Sequence, residues 1–293
     1  MENEVFDILI LGGGVAGITA SVYAKRRNKK VAIVEEMLIG GQLASINEIE
    51  NFPSYDKVTG FELMQNFQKQ VKYNKIPVFS DVVEKVDFSK DIKVVFGKRN
   101  KFFAKSVIIA TGLTYKKLGK NEDEFLGRGV SYCAICDANF YKNQEVAVVS
   151  KKGSGILGAL QLADVCKKVY FLDSEDMTMY AKACPKKNIE VISNVEIINI
   201  LGEGKVNEVE FKVNDNVEKL KLSALFIELG KRPLTDIYKG VLKLDDNGYI
   251  VTNEKMETSV KGVFACGDIR AGVLKQLVSA LSLIHIWRCR RLV

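Results

Sequence analysis

Residues 6–17 decide the fold of this chain, and they read Phe6-Asp7-Ile8-Leu9-Ile10-Leu11-Gly12-Gly13-Gly14-Val15-Ala16-Gly17. The first six form a short apolar run with the length and β-branching of a buried parallel strand. A helical pattern follows from Ile18 to Ala24. A Gly-x-Gly-x-x-Gly turn between a strand and a helix is typical of a dinucleotide-binding loop.

The three spaced glycines have separate roles in such a loop. Gly12 permits the tight turn, Gly14 lets the backbone approach a pyrophosphate, and Gly17 lets the helix pack closely on the strand. The helix start offers free N–H groups and a partial positive charge to phosphates. Glu35 ends the next strand, where a carboxylate can accept hydrogen bonds from ribose hydroxyls. The alternative is a glycine-rich turn that binds no ligand.

The strand–helix–strand pattern occurs twice, near residues 6–36 and 145–173. This repetition predicts an α/β fold with two Rossmann-like domains of the nucleotide-binding type. No low-complexity segment or long linker separates the two domains. We expect short crossings between them, around residues 113–115 and 233–235.

The loop of the second unit departs from the pattern. It reads Ser150-Lys151-Lys152-Gly153-Ser154-Gly155, which places Lys152 where the backbone should meet a pyrophosphate. The next strand is followed by Asp173-Ser174-Glu175-Asp176, whose three acids would repel the 2′-phosphate of NADPH. We therefore do not expect NADPH to bind. The alternative is a shifted register, Gly153-x-Gly155-x-x-Gly158, which starts three residues late and inside the expected first helical turn.

A C-x-x-C motif lies at Cys133-Ala134-Ile135-Cys136 and is followed by Asp137. Such a pair is either a redox dithiol or half of a zinc site. A structural zinc site needs four Cys or His ligands, usually as two close pairs, and the other cysteines are scattered. We therefore expect a redox disulfide and no metal. Asp137 can carry a proton to and from the departing thiol.

Length and charge set further bounds. The chain has 293 residues, 47% of them hydrophobic, and a net charge of +7, which fits a globular protein with two domains. No apolar run reaches the ~18 residues of a membrane span, and the acidic start Met1-Glu2-Asn3-Glu4 is unlike a secretory signal. No basic stretch is interleaved with aromatic residues. We expect a cytoplasmic protein that binds neither membrane nor nucleic acid.

Residues 281–293 differ in composition from the rest of the chain. They hold its only histidine, His285, and its only tryptophan, Trp287, and they are rich in arginine where the chain otherwise prefers lysine. The six residues from Leu281 to Ile286 resemble the translated end of a transposase-based sequencing adapter. We expect a non-native tail here and a natural gene product that continues past Ala280.

With these features placed, residues 5–280 resemble the low-molecular-weight thioredoxin reductases. Six segments in order carry the resemblance: Gly12 to Gly17, Gly40-Gly41-Gln42-Leu43, Glu50-Asn51-Phe52-Pro53, Ala110-Thr111-Gly112, Cys133 to Asp137, and Gly262 to Asp268. The resemblance implies a discontinuous FAD-binding domain, residues 1–112 and 236–280. It also implies an inserted domain, residues 113–235, that bears the C-x-x-C motif, and a homodimer.

The resemblance further implies which residues serve the reaction. Cys136 is expected to face the flavin, and Cys133 to attack the disulfide of thioredoxin or a thioredoxin-like protein. The residues expected to bind FAD are Gly12, Gly14, Ala16, Gly17, Glu35, Gly41, Gln42, Leu43, Asn51, Val83, Ala110, Thr111, Gly112, Gly267, Asp268, Lys275 and Gln276.

Two departures from the family's pattern change these expectations. The usual NADPH loop and the arginine-rich motif after it are absent, which resembles the ferredoxin-dependent flavin thioredoxin reductases. We therefore expect electrons to pass from reduced ferredoxin to FAD, then to the Cys133–Cys136 disulfide and on to the partner protein. Lys275-Gln276-Leu277 stands where the family usually has Arg-Gln-Ala, and the family's next helix is missing beyond Ala280. We expect weakened FAD retention as a result.

Three alternatives stay open at this point. The first is an NADPH-dependent thioredoxin reductase that uses the shifted glycine loop. The second is a flavin dithiol oxidase that passes electrons to oxygen. The third, from another class, is a redox-responsive binding protein whose C-x-x-C reports the thiol state without turnover, and the acid beside the dithiol argues weakly against it.

Overall fold

The computed structural model describes residues 4–37, 39–46 and 48–281 of the chain. These residues form an α/β fold with two Rossmann-like sheets, which confirms the predicted fold class. The chain divides into unit 1, residues 1–114 and 232–293, and unit 2, residues 115–231. Residues 282–293, nearly all of the tail expected to be non-native, lie outside the described residues.

The strands and helices are numbered in chain order. The strands are β1 (Val5–Leu11), β2 (Val31–Glu35), β3 (Val78–Ser80), β4 (Val83–Asp87), β5 (Lys93–Gly97), β6 (Lys101–Ile109), β7 (Leu113–Tyr115), β8 (Val130–Ser131), β9 (Glu145–Ser150), β10 (Lys168–Asp173), β11 (Ile189–Ile192), β12 (Glu196–Leu201), β13 (Glu208–Val213), β14 (Asn216–Lys221), β15 (Ala224–Glu228), β16 (Lys231–Pro233) and β17 (Val263–Ala265). The α-helices are α1 (Val15–Arg26), α2 (Gly60–Tyr73), α3 (Ala134–Asp137), α4 (Ile156–Ala163), α5 (Thr178–Ala183) and α6 (Leu277–Leu281). The 3-10 helices are Gly41–Ser45, Glu122–Phe125, Ala138–Tyr141, Asp236–Tyr238 and Gly267–Ile269.

Unit 1 is built on a seven-stranded sheet. Its order is β3-β2-β1-β6, and these four strands are parallel. The edge of β6 that faces away from β1 pairs with two strands. Antiparallel β5 pairs with the first half of β6, and parallel β17 pairs with Val107 to Ile109 of β6. Strand β4 then pairs with β5. The loops after β1, β2, β6 and β17 therefore meet at one edge of the sheet.

Strand β1 is apolar on both faces because the sheet of unit 1 is covered on both sides. Leu9 and Leu11 enter one hydrophobic core, while Ile10 enters the other together with Ile18 of α1 and Ile33 of β2. All three β1 side chains are fully buried. Burial of each contributes about 1.5–3 kcal/mol, so the run stabilises the strand on both faces.

Unit 2 has a five-stranded parallel sheet in the order β11-β10-β9-β15-β8. The chain passes from β9 through α4 to β10 on one side, while β15 lies on the other side of β9. At the carboxyl end of β9, Ser150 pairs in register with Asp173 on β10 and with Glu228 on β15. A reversal of strand order of this kind is where α/β proteins form a ligand crevice.

The rest of unit 2 includes an antiparallel sheet, β12-β13-β14, that packs on one core of the unit through Ile200, Val209 and Phe211. Strands β7 and β16 contain the two chain crossings and pair with each other. In the part of the chain that the structure describes, no helix is long and apolar enough to cross a bilayer.

A buried carboxylate fixes the turn between β5 and β6. Asp81 is 4% exposed and accepts hydrogen bonds from the amides of Val82, Arg99 and Asn100, and from the side chain of Asn100 at 2.9 Å. Burial raises the pKa of Asp81, but the hydrogen bonds from Asn100, Arg99 and Val82 hold it below its ordinary value. The charged carboxylate is therefore part of the folded hairpin.

We expect Asp81→Asn to lower the free energy of unfolding by about 2–3 kcal/mol at neutral pH, because an amide cannot accept all of these hydrogen bonds. The stability from Asp81 is present above its unfolded pKa and is lost as the pH falls through the lower folded pKa. Urea unfolding of both proteins at pH 7 and below pH 3 measures this difference. Asp91→Asn, at an exposed position, is the control, and equal unfolding midpoints for the two variants at pH 7 would contradict the prediction.

Candidate active site

The first glycine loop has a steric reason for two of its three motif glycines and open space at the third. Gly12 has φ +104°, and a Cβ there would overlap the backbone of Ala110. A Cβ on Gly17 would overlap the carbonyl oxygen of Gly12, so only glycine lets α1 start so close to β1. A Cβ on Gly14, by contrast, would meet nothing within 4 Å. The open space at Gly14 is where a ligand can approach the backbone.

The start of α1 presents unused hydrogen-bond donors. The N–H groups of Gly14, Val15, Ala16 and Gly17 have no acceptor among the residues that the structure describes, and the first amide of the helix that is bonded is that of Ile18, to Gly14 O at 2.9 Å. Four free amides at the positive end of a 12-residue helix form an anion site. This arrangement fits a pyrophosphate group.

Glu35, at the end of β2, is already engaged with the loop. Its carboxylate accepts hydrogen bonds from the amide of Gly13 at 2.5 Å and from the amide of Met37 at 2.9 Å. A carboxylate has about four acceptor positions, so two remain for ribose hydroxyls. Sequence reasoning overlooked Gly13, whose amide fixes the position of this carboxylate.

Several other predicted FAD residues lie around the same loop. A Cβ on Gly41 would lie 3.1 Å from the Cα of Gly14, and a Cβ on Gly267 would lie 2.9 Å from the Cβ of Ala16. Gln42 Nε2 donates to Leu113 O at 3.2 Å, which brings it beside the segment after β6. The structure thus brings the loops after β1, β6 and β17 together with the 3-10 helix Gly41–Ser45.

Asn51 and the end of the described chain also meet, since Asn51 Nδ2 donates to Gln276 Oε1 at 3.3 Å. Lys275 instead contacts Tyr249, with its Nζ at the Tyr249 hydroxyl and 4.0 Å from the ring centroid. The remaining predicted residues lie in the same unit: Leu43 is buried in Gly41–Ser45, Val83 begins β4, Ala110 and Gly112 follow β6, and Asp268 lies in Gly267–Ile269.

One buried polar atom supports a ligand at this edge. Thr111 Oγ1 is buried and has no hydrogen-bond partner within the described part of the chain. A buried hydroxyl without a partner is costly, which points to a group that completes it. Together with the four free amides, it makes the residues of unit 1 fit a flavin dinucleotide.

In unit 2, Cys133 and Cys136 form a disulfide with their Cα atoms 5.4 Å apart. Cys133 caps the first turn of α3, and the amide of Cys136 donates to Cys133 Sγ at 3.3 Å. The amide of Cys133 itself donates to Ser131 Oγ at 3.0 Å. Over the described residues, no group of three or more His, Cys, Asp or Glu side chains could hold a metal ion.

Asp137 ends α3, one residue after the disulfide. Its amide donates to Cys133 O at 3.3 Å, and the residue is partly exposed. Burial, with a smaller effect of the nearby Asp137 charge, raises the pKa of Tyr141. Asp137 thus belongs to the dithiol turn, and its charge acts on the half-buried Tyr141.

The second glycine loop corrects one sequence expectation. Helix α4 begins at Ile156 and Gly155 is its N-cap, so Gly153 and Gly155 precede the helix rather than lying inside its first turn. Counted from the helix start, the spacing of Gly153, Gly155 and Gly158 matches that of the first loop. The expectation failed because the helix start cannot be read from a loop that is two residues longer.

The hydrogen bonds of this second loop differ from those of the first. The amides of Lys152 and Gly153 donate to the carboxylate of Asp173, at 3.1 and 2.9 Å. The amide of Gly155 donates to Ser150 Oγ at 2.9 Å, and that of Ile156 to Gly153 O at 3.1 Å. Asp173 is fully buried and holds this loop as Glu35 holds the first, but here the amides of Gly155 and Ile156 are bonded as well.

Glu228 is a site residue that sequence reasoning missed. Its Oε1 accepts a hydrogen bond from the amide of Ala134 at 3.3 Å, and a Cβ on Gly158 would lie 3.3 Å from the same oxygen. Burial raises the pKa of Glu228, while the Ala134 amide and the charge of Lys231 oppose this. Its signal in the sequence is an acid directly after the apolar run Ala224 to Ile227, at the carboxyl end of β15.

Comparison with known proteins agrees with this geometry. The profile of the pyridine nucleotide-disulphide oxidoreductase family matches residues 6–282. Thioredoxin reductase of Bacillus subtilis (strain 168) is 35% identical over 289 residues, which cover 95% of this chain and 91% of the relative. The chain belongs to the thioredoxin reductase family. It is therefore a disulfide oxidoreductase with a disulfide-forming cysteine pair, and FAD is its cofactor.

Two solved structures of different kinds are similar to this member of the thioredoxin reductase family. The thioredoxin reductase of Lactococcus lactis is 30% identical with a TM-score of 0.77, and the match covers 96% of this chain and 95% of that one. A ferredoxin-flavin thioredoxin reductase of Clostridium acetobutylicum is 26% identical with a TM-score of 0.54, covering 97% and 96% of the two chains.

We expect Gly14→Ala to raise the dissociation constant of FAD roughly tenfold, because the added methyl would enter the space where the pyrophosphate approaches the backbone. The apoprotein should keep its stability, since that Cβ meets no protein atom. Flavin fluorescence titration and urea unfolding of the apoprotein measure the two effects. Gly17→Ala is the contrasting variant and should destabilise the apoprotein. FAD binding by Gly14→Ala at the affinity of the parent would refute this assignment.

Proposed function

We propose that the protein reduces the disulfide of thioredoxin or a thioredoxin-like protein through Cys133 and Cys136, with electrons from reduced ferredoxin rather than from NADPH. One observation carries the choice of donor: the amides of Gly155 and Ile156 at the second glycine loop are bonded within unit 2, whereas the equivalent amides of Gly14 and Val15 at the first loop are free. The relatives named thioredoxin reductase support the substrate.

The chemistry of the dithiol follows from its local geometry. The bound FAD supplies reducing equivalents in one- or two-electron steps. The reduced Cys133 thiolate attacks one sulfur of the partner disulfide, and the other sulfur leaves as a thiolate that takes up a proton. Cys136 then attacks Cys133 Sγ, which re-forms the intramolecular disulfide and releases the second partner thiol. Asp137, one residue after Cys136, is the residue that we propose exchanges protons with the departing thiols.

Two contacts support Cys133 as the attacking residue. The amide of Cys136 points at Cys133 Sγ, and a hydrogen bond of this kind favours a thiolate over a thiol. The amide of Cys133 is held by Ser131, which fixes the residue at the start of the turn. Cys136 lies within the same turn and is the resolving residue.

The electrostatics of the second loop support the absence of an NADPH phosphate there. Gly155 and Ile156 correspond to Gly14 and Val15, and both of their amides are already bonded within the unit. The carboxylate of Glu228 lies against the first turn of α4. A pyrophosphate at this helix would have to displace bonded groups and approach a carboxylate, which opposes its binding.

NADPH is the second candidate donor, and two observations favour it. The spacing of Gly153, Gly155 and Gly158 relative to α4 repeats that of the first loop. The Bacillus and Lactococcus relatives are named thioredoxin reductases without a ferredoxin. A direct comparison of the two donors separates the candidates.

Three lysine pairs of unit 2 are candidates to attract an acidic ferredoxin: Lys116-Lys117, Lys151-Lys152 and Lys167-Lys168. Only some of these lysines are free of ion pairs. Lys116, Lys151 and Lys152 are exposed, and no acid lies within ion-pair distance of them in the described residues. The other candidates already form ion pairs: Lys117 with Asp123, Lys167 with Glu145, and Lys168 with Glu190. We propose Lys151 and Lys152 as the main docking charge.

We also propose that the protein is a homodimer, on the family resemblance, and that it is cytoplasmic. Sedimentation velocity of the FAD-loaded protein tests the dimer, and a monomer at micromolar concentration would exclude it.

Under strict anaerobiosis, we expect reduced ferredoxin to bleach the flavin absorbance of the FAD-loaded protein, and NADPH to leave it unchanged over the same time. Thioredoxin added afterwards should be reduced, as measured by its free thiols. Rapid bleaching by NADPH would show that the shifted glycine loop binds nucleotide and would overturn the proposed donor.

A matched pair of variants controls for charge in this measurement. Lys151→Gln with Lys152→Gln should raise the ferredoxin concentration needed for half-maximal rate at low salt, because rim charges steer association. Lys167→Gln with Lys168→Gln removes the same charge from lysines that are already paired, and a smaller change is expected. An equal effect of the two pairs would argue against docking at Lys151 and Lys152.

We expect Cys136→Ser to accumulate a covalent mixed disulfide between Cys133 and oxidised thioredoxin after reduction, because the resolving thiol is absent. Mass spectrometry of the non-reduced protein measures the adduct. Cys133→Ser is the matched variant and should give no adduct. An adduct in Cys133→Ser and none in Cys136→Ser would reverse the assigned roles.

A further inference from the structure

We propose that Glu228 is a positioning residue for the redox pair: its carboxylate holds the first turn of α3 and biases Cys133 and Cys136 toward the disulfide. The inference rests on the dithiol chemistry proposed above and assigns a role to a residue outside it. It is carried by the hydrogen bond from the Ala134 amide to Glu228 Oε1 at 3.3 Å. That amide belongs to the peptide bond that leaves Cys133.

The backbone around Glu228 is fixed on two sides. Glu228 pairs in register with Ser150 of β9, and its carbonyl oxygen accepts a hydrogen bond from the Ser154 hydroxyl. A Cβ on Gly155 would lie 3.0 Å from the Cβ of Glu228, so the loop before α4 packs directly on this residue. These contacts fix the backbone and Cβ of Glu228 beside the second glycine loop, and from there its carboxylate reaches the Ala134 amide of α3.

Few charged groups face this carboxylate. Lys231, on β16, is the cation whose charge acts on it. Helix α3 and its cap bring Cys133, Cys136 and Asp137. Helix α4 and its loop contact Glu228 through the uncharged Gly158, Gly155 and Ser154, while Lys151 and Lys152 of that loop are exposed. Burial raises the pKa of Glu228 more than Lys231 and the Ala134 amide lower it.

The consequence for the thiols follows from charge. Reduction of the disulfide takes two electrons and two protons, and Cys133 must then lose one proton to become a nucleophile. A negative carboxylate one hydrogen bond from the Cys133 peptide disfavours that thiolate. Because a stabilised thiolate favours the reduced form, Glu228 acts in the opposite direction and favours the disulfide. The effect is present while Glu228 is ionised and fades as the pH falls below its pKa.

The test uses Glu228→Gln in the full FAD-loaded chain, since glutamine keeps an oxygen acceptor for the Ala134 amide and removes only the charge. After reduction and anaerobic desalting, iodoacetamide alkylation of Cys133 and Cys136 is followed by peptide mass spectrometry from about pH 5.5 to 9.5. We expect the Cys133 rate near pH 7 to rise roughly three- to tenfold in the variant, with its apparent thiol pKa lowered.

A second measurement determines the equilibrium between the dithiol and the disulfide of Cys133 and Cys136. In glutathione buffers at pH 7, Glu228→Gln should shift the pair toward the dithiol by a similar factor, where tenfold corresponds to about 30 mV. Glu218→Gln, an exposed charge removal on β14 of the same unit, should change neither readout.

Two outcomes would overturn the proposal. One is an alkylation profile of Glu228→Gln that superimposes on that of the parent. The other is a loss of thermal stability in Glu228→Gln with both thiol readouts unchanged, which would make the contact merely structural. If the parent pair itself neither forms a disulfide nor reduces thioredoxin, the proposed function fails instead, so the two failures can be told apart.

Discussion

The structure of unit 1 depends on one steric constraint, the absence of side chains between β1 and α1. Because Gly12 and Gly17 carry no Cβ, the first turn of α1 rests directly on the backbone of the loop. This close approach leaves the amides of Gly14 to Gly17 facing outward at the edge where the parallel strands end. Gly41 and Gly267 approach the same turn with little space to spare. A larger residue at any of these contacts would move the anion site rather than merely fill it.

Unit 2 has the same strand–helix–strand topology, but there polar side chains at the strand ends bind the amides of the loops. Ser150, Asp173 and Glu228 end three neighbouring strands in register, and each of them accepts a hydrogen bond from a loop or helix amide. The first unit keeps its donors for a cofactor, whereas the second uses several of them to hold its own loop and the dithiol turn. One topology thus supports two electrostatic outcomes, and the choice between them lies in a few residues at strand ends.

The sequence was sufficient for the fold class and for the first loop, because buried parallel strands and glycine spacing are local signals. Strand β1 was predicted from Phe6 to Leu11 and is observed from Val5 to Leu11. The sequence could not place Glu228, since an acid after a strand is ordinary until the register sets it beside Ala134. Nor could it show that Asp173 closes the second loop, or that Asn51 meets Gln276 far along the chain. These contacts depend on tertiary packing, which local patterns do not encode.

The pairing of β17 with β6 has a consequence for biosynthesis. The part of β6 that pairs with β17 ends at Ile109. It leaves the ribosome about 150 residues before Ala265, the residue that pairs with Ile109. At ordinary elongation rates this interval lasts roughly ten to thirty seconds. All of unit 2 is synthesised within it, so that unit can fold while the β6 edge is still unpaired. An unpaired apolar strand edge is a template for association with other chains. The nascent chain therefore passes through a period in which it needs protection from aggregation, although the finished sheet has that edge covered.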